Sequence, residues 1–275
     1  MDAKHRPLRK WGQNFLRNPA AVARIAGALE PEPGELILEI GPGEGALTEA
    51  LLALPNPVQA IEIDPDLARR LEQQFGNRLD LVVGDATTAE LPSVPFRAAG
   101  NLPYNVGTPI LRRVVSHPNC RRAVFMLQKE VADRIVALPG GEDYGFLTLY
   151  IRMFAEARIL MTLRPGSFHP APKVRSAVVV LDPHPLELQS SESFLIDLIS
   201  AGFRMRRKKL MNNLKGFNGL TREMLQKGFE SAGISPDARA EEMSLEEFDR
   251  LSAAIEPVAG GRHSARPEPG PPQSD

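Results

Sequence analysis

Glu35-Leu36-Ile37-Leu38-Glu39-Ile40-Gly41-Pro42-Gly43-Glu44-Gly45-Ala46-Leu47-Thr48-Glu49-Ala50-Leu51-Leu52 is the stretch that decides the fold. The apolar run to Ile40 reads as a buried strand. Gly41, Gly43 and Gly45 form a turn over which backbone and ligand can approach closely, and Ala46 onward reads as a helix. Val58-Gln59-Ala60-Ile61-Glu62-Ile63-Asp64 is a second strand ending in acids, about twenty residues past the glycines, where a carboxylate suits ribose hydroxyls in a doubly wound sheet. Leu79 to Val83 is a third strand, delivering Gly84-Asp85-Ala86. Asp85 reads alone as a turn residue. In series with Gly41 and Glu62 it becomes a third strand-end contact, able to accept from an adenine amine.

Two cofactors fit this pattern. A nicotinamide dinucleotide would set its pyrophosphate at the helix start, where Gly41, Gly43 and Ala46 match a loose form of that fingerprint. S-adenosylmethionine carries a sulfonium and an amino-acid tail in place of phosphate. Glu39 and Glu44 would repel a pyrophosphate and tolerate a cation, which favours the methyl donor. A glycine turn with no ligand is the plain alternative.

Phe96 to Gly100 is a fourth strand, which Pro103 stops within Asn101-Leu102-Pro103-Tyr104. That tetrapeptide puts a side-chain amide, backbone carbonyls and an aromatic face at a strand's carboxyl end, where open parallel sheets bind ligands. A planar base with an exocyclic amine suits it, the carbonyls accepting from the amine and Tyr104 stacking on the ring. Taken alone, the same residues describe an ordinary turn.

Elsewhere, Asn18-Pro19 reads as a helix cap with Val22, Ile25, Ala26 and Leu29 on the apolar face, and Gln13-Asn14-Phe15-Leu16 as its packed lead-in. Ala123 to Gln128 reads as strand, Lys129 to Leu138 as helix, and Arg158 to Leu163 with Ala177 to Leu181 as a closing strand pair. Phe168 between them is either a second aromatic wall for a base or a core residue, and Lys173 is either a phosphate contact or a solvated loop cation. Asp182-Pro183-His184-Pro185 breaks the pattern. The expected domains are therefore an α/β unit over 1–183, a small all-helical unit over 184–256, and a disordered tail over 257–275. Ser244-Leu245-Glu246-Glu247 is a capping-box pattern for the last helix. Arg204, Arg206, Arg207, Lys208 and Lys209 are crowded enough to call for an anion or neighbouring acids.

Composition narrows the classes. With 43% hydrophobic and 24% charged residues over 275 positions, the chain resembles an ordinary soluble protein. Cys120 is the single cysteine, which suits a reducing cytoplasm, and no His or Cys spacing suggests a metal. No apolar run is long enough to span a bilayer, and the amino terminus, with Lys4, Arg6, Arg9 and Lys10, lacks the core of a secretory signal. A net charge of −1 does not announce a nucleic-acid binder. It averages basic patches against the acids between Glu241 and Asp249.

Gln13-Asn14-Phe15-Leu16, Glu39 to Gly45, Glu62-Ile63-Asp64, Gly84-Asp85-Ala86 and Asn101-Leu102-Pro103-Tyr104-Asn105 occur in an order that resembles the ribosomal RNA adenine dimethyltransferases. Phe168-His169-Pro170-Ala171-Pro172-Lys173-Val174-Arg175-Ser176, a basic helix from Phe203 to Leu214, and Arg239 to Ser244 extend the resemblance to about residues 10 to 256. It implies a Rossmann-like class I methyltransferase sheet with a C-terminal helical RNA-binding domain. It also implies S-adenosyl-L-methionine held by Asn14, Leu16, Gly41, Glu62, Asp85 and Asn101. Asn101, Leu102, Tyr104 and Phe168 would form the catalytic site, and Lys173 with the cations at 204 and 206–209 would contact RNA.

The implied substrate is two adjacent adenosines in a 3′-terminal hairpin loop of 16S rRNA within a small-subunit precursor, acted on in the cytoplasm by a protein that nothing requires to be dimeric. Methylases of large-subunit RNA and a non-catalytic assembly factor are the rivals. Two positions depart from the family pattern. Gly107 replaces a small hydroxyl residue and leaves Thr108 to cap the next helix, and Phe146 stands where relatives often have a basic residue.

Overall fold

A computed structural model of the chain describes residues 14–206 and 208–259. The amino-terminal cations, Gln13, Arg207 and the tail from 260 on lie outside the described residues. The chain divides into two compact units, one formed by residues up to Leu138 with Glu142–Leu186, the other by Pro139–Gly141 with residues from Glu187 on. The division thus falls slightly later than the proline-rich break, because the final strand of the sheet runs through Asp182 to Pro183.

The first unit opens with β1 (Phe15–Leu16) and α1 (Pro19–Leu29). The Asn18 side chain accepts from the Ala21 amide at 3.1 Å, and Ile25, Ala26 and Leu29 are buried. β2 (Leu36–Ile40), α2 (Ala46–Leu51), β3 (Val58–Glu62), α3 (Pro65–Phe75) and β4 (Leu79–Val83) follow in strict alternation. After them come β5 (Phe96–Asn101), α4 (Gly107–Val115), β6 (Cys120–Gln128), α5 (Lys129–Val136), α6 (Phe146–Phe154), β7 (Ala155–Leu163), β8 (Phe168–His169) and β9 (Ser176–Pro183).

Seven strands lie in the order β4-β3-β2-β5-β6-β9-β7. The first five are parallel, and β9 runs antiparallel to both β6 and β7. The near-continuous burial of β2, β5, β6 and β9 is what a sheet covered on both faces requires. The strand order reverses between β2 and β5, leaving a crevice beyond their carboxyl ends. β2 and β5 lie so close there that a Cβ at Gly100 would collide with the Ile40 carbonyl oxygen.

The second unit contains α7 (Glu192–Gly202), α8 (Leu210–Asn213), α9 (Arg222–Ala232) and α10 (Leu245–Ile255). Ser244 and Glu247 form the expected reciprocal cap of α10. The basic helix expected over 203–214 is corrected. α7 closes at Gly202, Phe203 to Arg206 form turns, and α8 is four residues long. Asn213 Nδ2 donates to the carbonyls of Gly202 and Met205, groups that a continuing helix would have bonded along its own axis. Leu210 folds back against Gly202, where a Cβ would come within 2.9 Å of its side chain.

Candidate active site

The crevice at the strand-order reversal is a cavity of about 850 Å³, its open mouth included. Glu39, the glycine turn, Glu62 and Ile63 line one side, Asn101 to Tyr104 and Met126 another, and Asn14, Phe15 and Leu16 cross it. Seven of the residues proposed from sequence therefore meet in one place: Asn14, Leu16, Gly41, Glu62, Asn101, Leu102 and Tyr104.

The glycine turn is built around an internal carboxylate. Gly43 has φ +60°, and its amide donates to Glu62 Oε2 at 3.0 Å while Glu62 Oε1 accepts from the Asp64 amide at 2.9 Å. Glu62 is 3% exposed, and burial holds its pKa above the usual carboxylate value against those two hydrogen bonds. Glu39 is 1% exposed and its Oε2 accepts from Thr48 Oγ1 at 2.6 Å. Burial and the neighbouring Glu62 push its pKa up to about 8. An amide of the turn that would cradle a phosphate is thus already taken by Glu62, and two acids occupy the wall. These residues fit a cationic nucleoside and disfavour a pyrophosphate.

The opposite wall is neutral. Leu102 is 1% exposed, its amide donates to the Met126 carbonyl at 3.1 Å, and its own carbonyl is not engaged by any described group. Asn101 Nδ2 donates to the Asn14 carbonyl at 2.6 Å, which fixes the amide so that Oδ1 is the free acceptor. The Tyr104 hydroxyl shares a 2.8 Å hydrogen bond with Ser176 Oγ at the start of β9, anchoring the ring by its polar end, and burial raises its pKa.

β1 is a strap that was not apparent from sequence. It pairs antiparallel with β8, its Phe15 ring lies where a Cβ on Gly43 would come within 2.9 Å, and Arg17 just beyond it forms an ion pair with Glu44 of the glycine turn. Asn14, expected here only through the family resemblance, contributes a backbone carbonyl, a group every residue type carries, so side-chain chemistry alone gives no signal of this contact.

Other expected residues lie elsewhere. Phe168 does not line the cavity. It pairs with Leu16 and is 5% exposed in the hydrophobic cluster with Ile25, Leu29 and Leu163, because pairing with β1 turns it into the core. Asp85 is exposed beyond β4, where its Oδ1 accepts from the Thr87 amide and hydroxyl at 2.8 and 2.7 Å and its Oδ2 is left for another donor. It stands next to the cavity wall, since the Gly84 amide donates to the Glu62 carbonyl at 2.9 Å. Thr108 is no cap, because α4 starts at Gly107 after Val106 with no side-chain cap bond. Lys173 is an exposed loop residue.

In the second unit the cations at 204, 206, 208 and 209 are exposed, but acids partly neutralise them. Lys209 pairs with Asp237 at 2.5 Å, and Arg206 and Arg239 both approach Glu241. Arg204 and Lys208 have no acidic partner among the described residues. The described residues hold no metal-binding cluster and no helix long and apolar enough to cross a membrane.

Comparison with known proteins agrees with this geometry. The family model "Ribosomal RNA adenine dimethylase" matches residues 4–256. The chain is 38% identical over 260 residues to "Ribosomal RNA small subunit methyltransferase A" of Syntrophotalea carbinolica, covering 92% of this chain and 98% of the relative. Among solved structures, a dimethyladenosine transferase from Plasmodium falciparum matches with TM-score 0.76 at 26% identity, covering 86% of this chain and 95% of that one. The 23S rRNA methyltransferase ErmE matches with TM-score 0.68 at 27% identity, covering 88% and 100%.

Proposed function

Because the chain belongs to the ribosomal RNA adenine dimethylase family, we propose that it dimethylates the exocyclic amines of two adjacent adenosines in a 3′-terminal hairpin loop of 16S rRNA. It acts on a small-subunit precursor, in the cytoplasm, as a monomer. The observation that carries this reading is the single cavity in which an acid-walled glycine turn faces Asn101-Leu102-Pro103-Tyr104.

S-adenosyl-L-methionine supplies an electrophilic methyl on a sulfonium. Glu62 and Gly41 at the strand ends would hold its nucleoside with Asp85 at the rim, and Asn14 and Leu16 would close over it. The chain's own task is to align an amine and exclude water. An adenine amine is a poor nucleophile because its lone pair is delocalised into the ring. Acceptance of its hydrogens by Asn101 Oδ1 and the Leu102 carbonyl favours the pyramidal nitrogen of the transition state, while Tyr104 holds the ring. Among the described residues no histidine lines the cavity, and none is needed, since the nitrogen proton becomes acidic once alkylated. For the second methylation only one N–H is left, which a neutral Asn101 accommodates better than a carboxylate would.

Arg204 and Lys208 are the described cations of the basic run best placed to meet phosphates, with Arg206, Lys209 and Lys173 as weaker contacts. Methylation of large-subunit RNA is the second reading, favoured by the likeness to ErmE. The small-subunit name of the relative matched over 98% of its length supports the first. Radiolabelled methyl transfer decides between them. Label in undermethylated small subunits, mapped to two dimethyladenosines, is expected. Label only in large-subunit RNA, or RNA binding without transfer, would overturn the proposal.

A further inference from the structure

Arg113 lies in the last turn of α4, the helix that begins shortly after Asn101-Leu102-Pro103-Tyr104, and the methyl-transfer mechanism above leaves it without a task. Ile110, Leu111, Val114 and Val115 are buried, so α4 is a fixed base for the side chains it carries. Its neighbour Arg112 is committed to aromatic rings, the guanidinium carbon lying 4.1 Å from the Tyr150 centroid and 5.2 Å from that of Phe146. Arg113 reaches elsewhere. Its Nη1 donates to the Ala86 carbonyl at 3.2 Å, and among the described residues it has no acidic partner.

That carbonyl belongs to the turn after β4, next to Asp85. The turn is wound on itself: the Asp85 carbonyl accepts from the Thr88 and Ala89 amides at 3.0 and 2.7 Å, and Asp85 Oδ1 accepts from Thr87. These bonds fix its shape and leave its placement open. β4 is an edge strand of the sheet, and the ladder to β3 ends at the Gly84 amide. Beyond it, among the described residues, the bond from Arg113 is the one hydrogen bond that ties residues 85–89 to another element.

Resting on the reading that Asp85 accepts from the donor's adenine amine, we propose that Arg113 is the positioning residue for that contact and thereby sets the site's preference for a 6-amino base in the donor. The helix that starts beside the substrate-base turn ends on the donor-base turn, and Arg113 pins the second to it. A carboxylate discriminates only if it is held where the amine arrives; left mobile, it exchanges that bond for water at little net cost. The plain alternative is a last-turn cation that serves the helix dipole, a role blind to the donor's base.

Calorimetry of the full chain tests this with two ligands, S-adenosylhomocysteine and its purine analogue, in which hydrogen replaces the 6-amino group. The wild type is expected to bind the amine-bearing ligand at least about tenfold more tightly, the worth of a hydrogen bond to a charged acceptor. Arg113→Leu is expected to weaken S-adenosylhomocysteine about 5- to 10-fold and to leave the purine analogue within about twofold, so the preference collapses. Arg113→Gln, a shorter polar side chain, should repeat the pattern and stands in if the leucine variant folds poorly. Asp85→Ala should abolish the preference, and Arg113→Leu added to it should cost nothing further, as for two residues acting through one contact.

Equal weakening of both ligands by the Arg113 variants, or an unchanged preference, would overturn the inference while an effect of Asp85→Ala leaves the Asp85 reading standing. A preference that survives Asp85→Ala would overturn both. Failure of S-adenosylhomocysteine to bind the wild type would overturn the donor reading itself and the inference with it.

Discussion

The two walls of the cavity are made of opposite materials. On the glycine-turn side, two carboxylates are buried at 1% and 3% exposure, and a turn amide is spent on one of them. On the Asn101 side the acceptors are an amide oxygen and a backbone carbonyl, with no charged group among Asn101, Leu102, Pro103 and Tyr104. The contrast teaches a division of labour. On the proposed function, acids would stand where a permanent cation is held, and neutral acceptors where a nitrogen acquires positive charge for the duration of the transition state. A full carboxylate against the adenine amine would bind the ground state as well, which lowers KM without raising kcat.

Asn101→Ala tests the neutral wall and should have the largest effect. Removal of an acceptor used in the transition state is expected to lower kcat by about 10²–10³-fold. Donor affinity, read by calorimetry, should change far less, and an equal loss in both would break the distinction between the walls. Glu62→Gln tests the charged wall. The variant is expected to weaken donor binding by about 10- to 100-fold, since the amide cannot accept from the Gly43 and Asp64 amides and a nucleoside equally well. Its kcat at saturating donor should stay near wild type.

Glu39→Gln probes the cost of the charged wall in the free protein. The folded-state pKa of Glu39 is raised to about 8 from an ordinary 4.5, so the folded state binds more protons than the unfolded state between those values. Stability from this group is therefore lost as pH rises from about 4.5 towards 8, and level above that. Glu39→Gln removes the loss. It should unfold later than wild type at pH 8, by on the order of 1–2 kcal/mol, and nearly together with it at pH 4.5 in thermal melts. The smallest effect belongs to Tyr104→Phe, which keeps the stacking ring and deletes only the bond to Ser176. About 0.5–1.5 kcal/mol of stability and a few-fold change in kcat are expected.

What could be read from sequence follows the same line between local and distant causes. The glycine turn, Glu62, the fourth-strand tetrapeptide and the caps at Asn18 and Ser244 were legible because each is a short run whose chemistry is fixed by neighbours in the chain. The strap was not. Asn14 meets Asn101 and Phe15 meets Gly43 only once the sheet has formed, and no residue type signals a backbone carbonyl. Phe168 is open between aromatic wall and core in the sequence for the same reason, since the choice depends on a two-residue pairing with β1, and that pairing places it in the core cluster. The basic run was legible as charge and illegible as shape. Asp237 and Glu241, which pair with Lys209, Arg206 and Arg239, come from a later segment, and Asn213 ends the helix from beyond the run.

The strap also has a consequence for biosynthesis. Its anchors are distant in the chain: Asn18 Nδ2 donates to Ser167 Oγ 149 residues away, beside the pairing of Leu16 with Phe168. A contact of that span closes late, because loop closure precedes any gain from the pairing. During synthesis, the first strand waits on the nascent chain until the segment around Phe168 has been made. Only then does the Asn14 carbonyl arrive to set the Asn101 amide. A polypeptide still attached to a translating ribosome therefore lacks an oriented Asn101 amide through the larger part of its own elongation.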